Sequence, residues 1–389
     1  MTPRAANRDV IYLDHAATTP VAPEVLEAML PFFGPQFGNP NSLHLVGRSA
    51  RRAVDTARAQ LAALLHTAPH EIVFTGGGTA ADNLAVFGVA QARKTQGCHV
   101  ITSRVEHHAV LHACRALERR GFELSTLPVD AQGRVNPNDV SSALRDDTVL
   151  VSIMLANNEV GTLQPIAEIG ERLRDHPATF HTDAVQAVGH VELDVEALGV
   201  DLLSLSAHKF YGPKGVGALF VREGVALEPL LYGGGQEQGL RGGTENVAGI
   251  VGLGEAARLA QEVLGENETR IASLRQRLVE GVCDAVPGTT LTGHPTERLP
   301  GSASFCFDGL KGESLLLELD MHGVCASTGA ACAAGRLDPS HVLLALGLPK
   351  AKANGSLRMT LGRSTTKAQV ECVLALLPGA VERVRRLAF

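Results

Sequence analysis

The first chemical signal in this 389-residue chain lies where apolar runs end. Leu202 to Ser206 reads as a buried strand and leads directly into Ala207-His208-Lys209-Phe210-Tyr211-Gly212. Most lysines are solvated surface groups. A lysine at the end of a buried run loses hydration instead, its pKa falls, and its free amine becomes able to form an imine. Phe180-His181-Thr182-Asp183-Ala184-Val185-Gln186 sets Asp183 just past a second such run. A carboxylate buried there needs a cationic partner. A pyridinium nitrogen is one, as in pyridoxal phosphate, whose ring is an electron sink while the acid keeps it protonated. Capping a following helix is the other role open to Asp183. Thr75-Gly76-Gly77-Gly78-Thr79 joins a third run to a helical segment starting near Ala80. Glycines admit close backbone approach, and the N–H groups of a helix N-terminus bind phosphate. The loop has neither the lysine of a Walker A motif nor GxGxxG spacing.

The elements that position these residues follow from hydrophobic periodicity. Short apolar runs lie at Glu71–Phe74, Val100–Thr102, Leu124–Leu127, Val149–Leu155, Phe180–Thr182, Leu202–Leu205 and Ala218–Val221. Helical spacing precedes the first of them, at Val54, Ala57, Leu61, Leu64 and Leu65, and a helix or loop lies between each run and the next. The alternation predicts an α/β fold with a largely parallel sheet, its strands apolar on both faces because helices cover both. Ligands in such sheets bind at the carboxyl ends of the strands, where Lys209 and Asp183 lie. Beyond about residue 245, Ala257, Leu259, Val263, Leu274 and Leu278 predict two helices broken near Gly265. A strand over Ser302–Phe307, a helix over Glu313–Leu319, a strand over Leu357–Leu361 and a helix over Lys367–Leu387 complete the pattern. We expect a large domain over 12–260 and a smaller one over 261–389 that also takes up residues 1–11.

Composition excludes several classes. Thirty-five Lys+Arg against 41 Asp+Glu gives a net charge of −6, and aromatics are 4% of residues. Neither suits a nucleic-acid binder, which shows a basic surplus and stacking aromatics. No run of about 18 apolar residues is long enough to span a membrane. Met1 to Asp9 holds two arginines and no apolar stretch, unlike a secretory signal. The seven cysteines are Cys98, Cys114, Cys283, Cys306, Cys325, Cys332 and Cys372, with no CxxC pair and no metal-ligand spacing. That usage predicts a reducing, cytoplasmic setting with most thiols packed as small apolar residues.

Longer motifs carry a resemblance. Ser206-Ala207-His208-Lys209, Asp183-Ala184-Val185-Gln186 and the glycine-threonine loop resemble the fold-type I pyridoxal-phosphate enzymes, in the class V aminotransferase branch. Tyr12 to Pro20, Phe37-Gly38-Asn39-Pro40, Glu106-His107-His108-Ala109-Val110 and Asn157-Asn158-Glu159-Val160-Gly161 resemble cysteine desulfurases of the nitrogen-fixation and iron–sulfur-cluster assembly type, group I. So do Arg241-Gly242-Gly243-Thr244-Glu245-Asn246 and Ser327 to Cys332. The resemblance runs from about residue 10 to 380. It implies a mostly parallel seven-stranded sheet with a smaller α+β C-terminal domain. It implies that Lys209 forms the imine with pyridoxal 5'-phosphate, Asp183 pairs with the ring nitrogen and Gln186 bonds the ring hydroxyl. His107 stacks on the ring and serves as acid or base; otherwise it is an ordinary helix-start histidine. Gly78, Thr79, Ser206 and His208 contact the phosphate, and Thr244 reaches the phosphate of a neighbouring protomer in a homodimer. Asn158 lies near the ring and substrate carboxylate, and Arg358 grips that carboxylate unless it is a surface strand arginine.

The same resemblance makes Cys332 the residue that decides the reaction. It sits among Ala, Ser, Thr and Gly between Ala326 and Arg336, without large apolar anchors, as a mobile loop would require. Its thiolate takes sulfur from L-cysteine as a persulfide, leaves L-alanine, and passes the sulfur to an acceptor such as an iron–sulfur scaffold protein. Cys325 and the other five thiols are expected to be packing. Three departures stand out: Ser327-Thr328-Gly329-Ala330-Ala331-Cys332 lacks a usual loop hydroxyl, Thr79-Ala80-Ala81-Asp82-Asn83 lacks a usual glutamate, and the chain ends at Phe389 where relatives often carry a further tail. Selenocysteine lyase, aminotransferase and non-catalytic scaffold are the competing readings.

Overall fold

The computed structural model describes residues 10–329 and 339–387. Twelve strands are formed among them: β1 Ile11–Tyr12, β2 Ile72–Thr75, β3 His99–Ser103, β4 Glu123–Leu127, β5 Thr148–Ser152, β6 Thr179–Asp183, β7 Leu202–Ser206, β8 Gly217–Val221, β9 Thr289–Leu291, β10 Ser302–Phe307, β11 Val324–Cys325 and β12 Ser356–Thr360. Seven make one sheet in the order β2-β8-β7-β6-β5-β3-β4. Only β8 runs against its neighbours β2 and β7; every other pairing is parallel. The seven apolar runs of the sequence are these seven strands, six of them within one residue at each end, while the run Val149–Leu155 extends three residues past the end of β5 at Ser152.

Successive residues of a strand enter opposite layers. Ile72 and Phe74 join one core with Val54, Leu61, Phe180 and Leu203, whereas Val73 joins another with Leu84, Val89, Val110 and Leu202. Both faces are therefore dry, which is why the strands read as continuous apolar runs. A third core unites Ile11, Leu13, Phe305, Phe307, Leu357, Met359 and Val373 around the antiparallel sheet β12-β10-β9.

One prediction is corrected. Val247–Ala285 is a single 39-residue helix and does not break at Gly265. A side chain added at Gly265 would meet nothing within 4 Å, so the glycine lies on an open face. Its intrinsic penalty of about 1 kcal/mol is small against the packing of the whole helix. Ile250, Leu253 and Ala257 pack in the first core, and Ile271, Leu278 and Val282 in the third. The boundary expected near residue 260 thus falls inside one helix.

The chain's beginning is tied to its far end. β1 pairs in parallel with β11. Leu13 N–H donates to Cys325 O at 2.8 Å, Thr360 N–H to Leu13 O at 2.7 Å, and Ala16 N–H to Thr360 Oγ1 at 2.9 Å. Thr19 then bonds His208 O through both its N–H (2.9 Å) and its hydroxyl (3.0 Å). No helix among the described residues is long and apolar enough to cross a membrane.

Candidate active site

A cavity of about 760 Å³ opens at the carboxyl ends of β2, β6 and β7. It brings together Gly78, Thr79, His107, Asn158, Asp183, Gln186, Ser206, His208, Lys209 and Arg358. Two sequence candidates are not among its lining residues. Thr244 is exposed, just ahead of the helix that starts at Val247. Cys332 lies outside the described residues.

Lys209 sits in a single helical turn directly after β7. Its Nζ donates to Ala16 O at 2.5 Å and Ala17 O at 2.9 Å, so the N-terminal segment aims the amine. Asp183 is the last residue of β6 and is buried. Its Oδ1 accepts from Val185 N–H at 2.9 Å, so it serves the local turn while lining the cavity. Burial pushes its carboxyl up to about 6, against a smaller downward pull from that hydrogen bond and from Lys209. Gln186 Nε2 donates to Ala16 O at 2.9 Å.

The helix Gly78–Ala92 begins two residues before the sequence pattern suggested, so its first turn carries both Gly78 and Thr79. Gly77, at φ 139°, takes a backbone conformation that side chains rarely adopt. A Cβ on Gly78 would stand 2.7 Å from Val185 Cγ2 and 3.3 Å from Ser206 Cβ. Gly78 and Thr79 open the helix and line the cavity, at the end where backbone N–H groups lack helical partners.

His107 stands at a helix start and also lines the cavity. Its Nδ1 accepts from Ala109 N–H at 3.2 Å at the start of the helix His108–Glu118, and its ring lines the cavity. Burial, reinforced by Lys209, drops its pKa to about 4, so the ring is neutral at neutral pH. Arg358 is an interior residue of β12, not a surface one. Its Nη1 donates to Asn158 O and its Nη2 to Asp14 Oδ1, each at 2.8 Å, while Nε is buried with no partner among the described residues.

Sequence reasoning missed some members. Asp82 lines the cavity from inside an otherwise apolar helix face, the one signal that marked it. Glu106, next to His107 in sequence and fully buried, accepts from Ser103 Oγ (2.6 Å) and Met154 N–H (2.9 Å) and is pushed up to about 8 by burial. Asp14 and the carbonyls of Ala16 and Ala17 lie in a segment whose motif was noticed but whose contacts were not. The thiols also need correction. Cys114 and Cys306 are buried and Cys98 and Cys325 half-buried, but Cys283 and Cys372 are exposed on helices beside the buried Val282 and Val373. A thiol is small enough to sit on either side of such a boundary.

A family model described as Aminotransferase class-V matches residues 11–373. "Cysteine desulfurase IscS" of Clostridium botulinum is 50% identical over 380 residues, covering 97% of this chain and 96% of that protein. The protein of the same name from Methanosarcina thermophila is 51% identical over 378 residues, covering 97% and 93%. Among solved structures, "NIFS-LIKE PROTEIN" superposes with a TM-score of 0.91 at 37% identity, covering 96% of this chain and all of that one. "SspA in complex with cysteine" superposes with a TM-score of 0.81 at 38% identity, covering 90% and 98%.

Proposed function

Because this chain belongs to the class V aminotransferase family, we propose that it is a pyridoxal-phosphate-dependent cysteine desulfurase that converts L-cysteine to L-alanine and takes up the sulfur on Cys332. The observation that carries the reading is the convergence of Lys209, Asp183, the Gly78 helix start and Arg358 on one cavity, in a chain half identical to proteins named cysteine desulfurase.

The residues present fit pyridoxal phosphate by their chemistry: an amine, a buried carboxylate and an open helix N-terminus share the cavity. Gly78, Thr79, Ser206 and His208 would hold its phosphate, Asp183 its ring nitrogen, Gln186 its hydroxyl and His107 its ring face. When bound, the group supplies an electron sink for the charge left as the substrate's α-proton departs. Arg358 orients the substrate carboxylate through its unpaired Nε edge, helped by Asn158. Lys209 or the neutral His107 then moves the α-proton. The Cys332 thiolate attacks the substrate sulfur; a sulfur–sulfur bond forms, the carbon–sulfur bond breaks, and the carbon keeps the electron pair until protonation completes alanine.

The reading extends to a homodimer in which Thr244 reaches the partner's phosphate site, to a cytoplasmic setting, and to delivery of sulfur to an iron–sulfur scaffold or similar acceptor. It also divides the chain into a cofactor domain over 12–260 and a smaller domain over 261–389 with residues 1–11. The test is mass spectrometry of the loaded protein after incubation with L-cysteine. One added sulfur is expected on Cys332, none in Cys332→Ser, and Lys209→Ala should lose the visible absorbance of the bound cofactor. Sulfur on Cys325, or a colourless wild-type protein, overturns the reading.

A further inference from the structure

Asp82 has no part in the chemistry just described, yet it is a buried acid in the cavity wall. It is 1% exposed, in the second turn of the helix Gly78–Ala92, between the buried Ala81 and Leu84. One of its carboxylate oxygens, one from Asp183 and a ring nitrogen of His107 all lie within 4.8 Å of one another. Asp82 Oδ1 has no hydrogen-bond partner among the described residues. Its one ion-pair-range contact among the described residues is His181 Nε2 at 3.7 Å. That ring is buried, bonds Ser204 Oγ at 2.9 Å and Ser152 Oγ at 2.8 Å, and is kept neutral by burial. The groups facing Asp82 are therefore two further acids, Asp183 and Glu106, and the histidines His107 and His181, with Lys209 acting on Asp183.

Two carboxylates this close in a dry interior cannot both be charged. Asp183 has a backbone N–H donor and the nearby Lys209 to support its charge. Asp82 has weaker support, the Ser204 hydroxyl, and the greater penalty, so its carboxyl is held well above the usual range by burial and by Asp183.

We propose that Asp82 is a positioning residue for the cofactor: it remains a neutral acid beside Asp183 and directs its acidic hydrogen at that carboxylate, so that Asp183 presents one fixed, ionised oxygen to the ring nitrogen. The proton stays on Asp82 throughout; none is consumed in the reaction. The proposal rests on the cofactor reading above.

The test is the cofactor itself. Wild-type, Asp82→Asn and Asp82→Ala proteins, stripped and refilled with pyridoxal phosphate, are compared by binding affinity and by the pH midpoint of the bound cofactor's absorbance band. Asparagine keeps a neutral hydrogen-bond donor, so it should bind within about twofold of wild type with an unmoved midpoint. Alanine should bind about tenfold or more weakly, the scale of one hydrogen bond to a charged group, with a shifted midpoint. If Asp82→Asn is as damaged as Asp82→Ala, the residue acts as an anion and the proposal fails. If both variants match wild type in affinity and midpoint, Asp82 has no role toward the cofactor and the proposal also fails. Wild-type protein that takes up no pyridoxal phosphate overturns the underlying cofactor reading, a result distinct from either.

Discussion

Replacing Arg358 with lysine keeps the charge and removes the geometry. The guanidinium has five N–H donors. One on Nη1 is committed to Asn158 O and one on Nη2 to Asp14 Oδ1. The Nε–H has no partner among the described residues, although the residue is only 4% exposed. Nε–H and the second N–H of Nη2 share one edge, the parallel pair that a carboxylate accepts. A lysine ammonium can hold Asp14 with one of its hydrogens but cannot present that edge. Losing one hydrogen bond to a charged group costs about 1.5–3 kcal/mol, which is about 10–150-fold in affinity. Because the substrate carboxylate is bound before and during reaction, the loss should appear in KM, with kcat changed far less. The assay is initial-rate alanine formation over a range of L-cysteine concentrations with the cofactor saturating. Thermal melting checks the fold, which should hold because Asp14 keeps a cation. An Arg358→Lys protein with KM within twofold of wild type and a collapsed kcat would refute carboxylate binding by this residue.

Gly78→Ala should lower the melting temperature and weaken cofactor binding, since its Cβ would press on Val185 and Ser206 and overpacking costs about 1–3 kcal/mol. In the cofactor-free protein Gly76→Ala should melt like wild type, because its Cβ meets nothing within 4 Å; equal melting of the two variants would contradict the packing argument. Glu106→Gln should become more stable relative to wild type as pH rises. The folded carboxyl is raised to about 8 from 4.5, so its stabilisation is full below pH 4.5 and is lost as pH climbs through 8. Glutamine Oε1 can accept the same two hydrogen bonds, both of which go to Oε1. A melting difference that stays flat between about pH 5 and 8 would show that Glu106 does not carry that raised value.

Positions at strand ends were the most legible part of the site. Lys209, Asp183 and the Gly78 turn are marked by local pattern alone: an apolar run, then a residue that the run does not explain. Arg358 was not legible in that way. Its burial comes from β10 on one side and Asp14 from 344 residues away, and only the family resemblance singled it out. Asp82 carried a single weak signal, an acid inside an apolar helix face, and a lone acid there gains meaning only once the strands behind it are in place. Gly265 misled for the opposite reason: local propensity argued for a break, and packing in two cores overrode it. Cys283 and Cys372 show that thiols carry little positional information of their own.

The amine of Lys209 is aimed by Ala16 and Ala17, and that segment is itself held by Cys325 and Thr360. During synthesis the first twenty residues leave the ribosome before any strand of the large sheet, and the strands that anchor them are made last. The nascent chain can assemble the seven-stranded sheet while its lysine still lacks those acceptors. Contacts of such sequence separation form late because the loop they close is long. Thr19 and Gln186 tie the segment to the large sheet early, but its full set of anchors, and with it the final aim of the amine, is complete only once residue 360 has been made. A chain truncated before β12 should fold much of its sheet and yet fail to fix the amine.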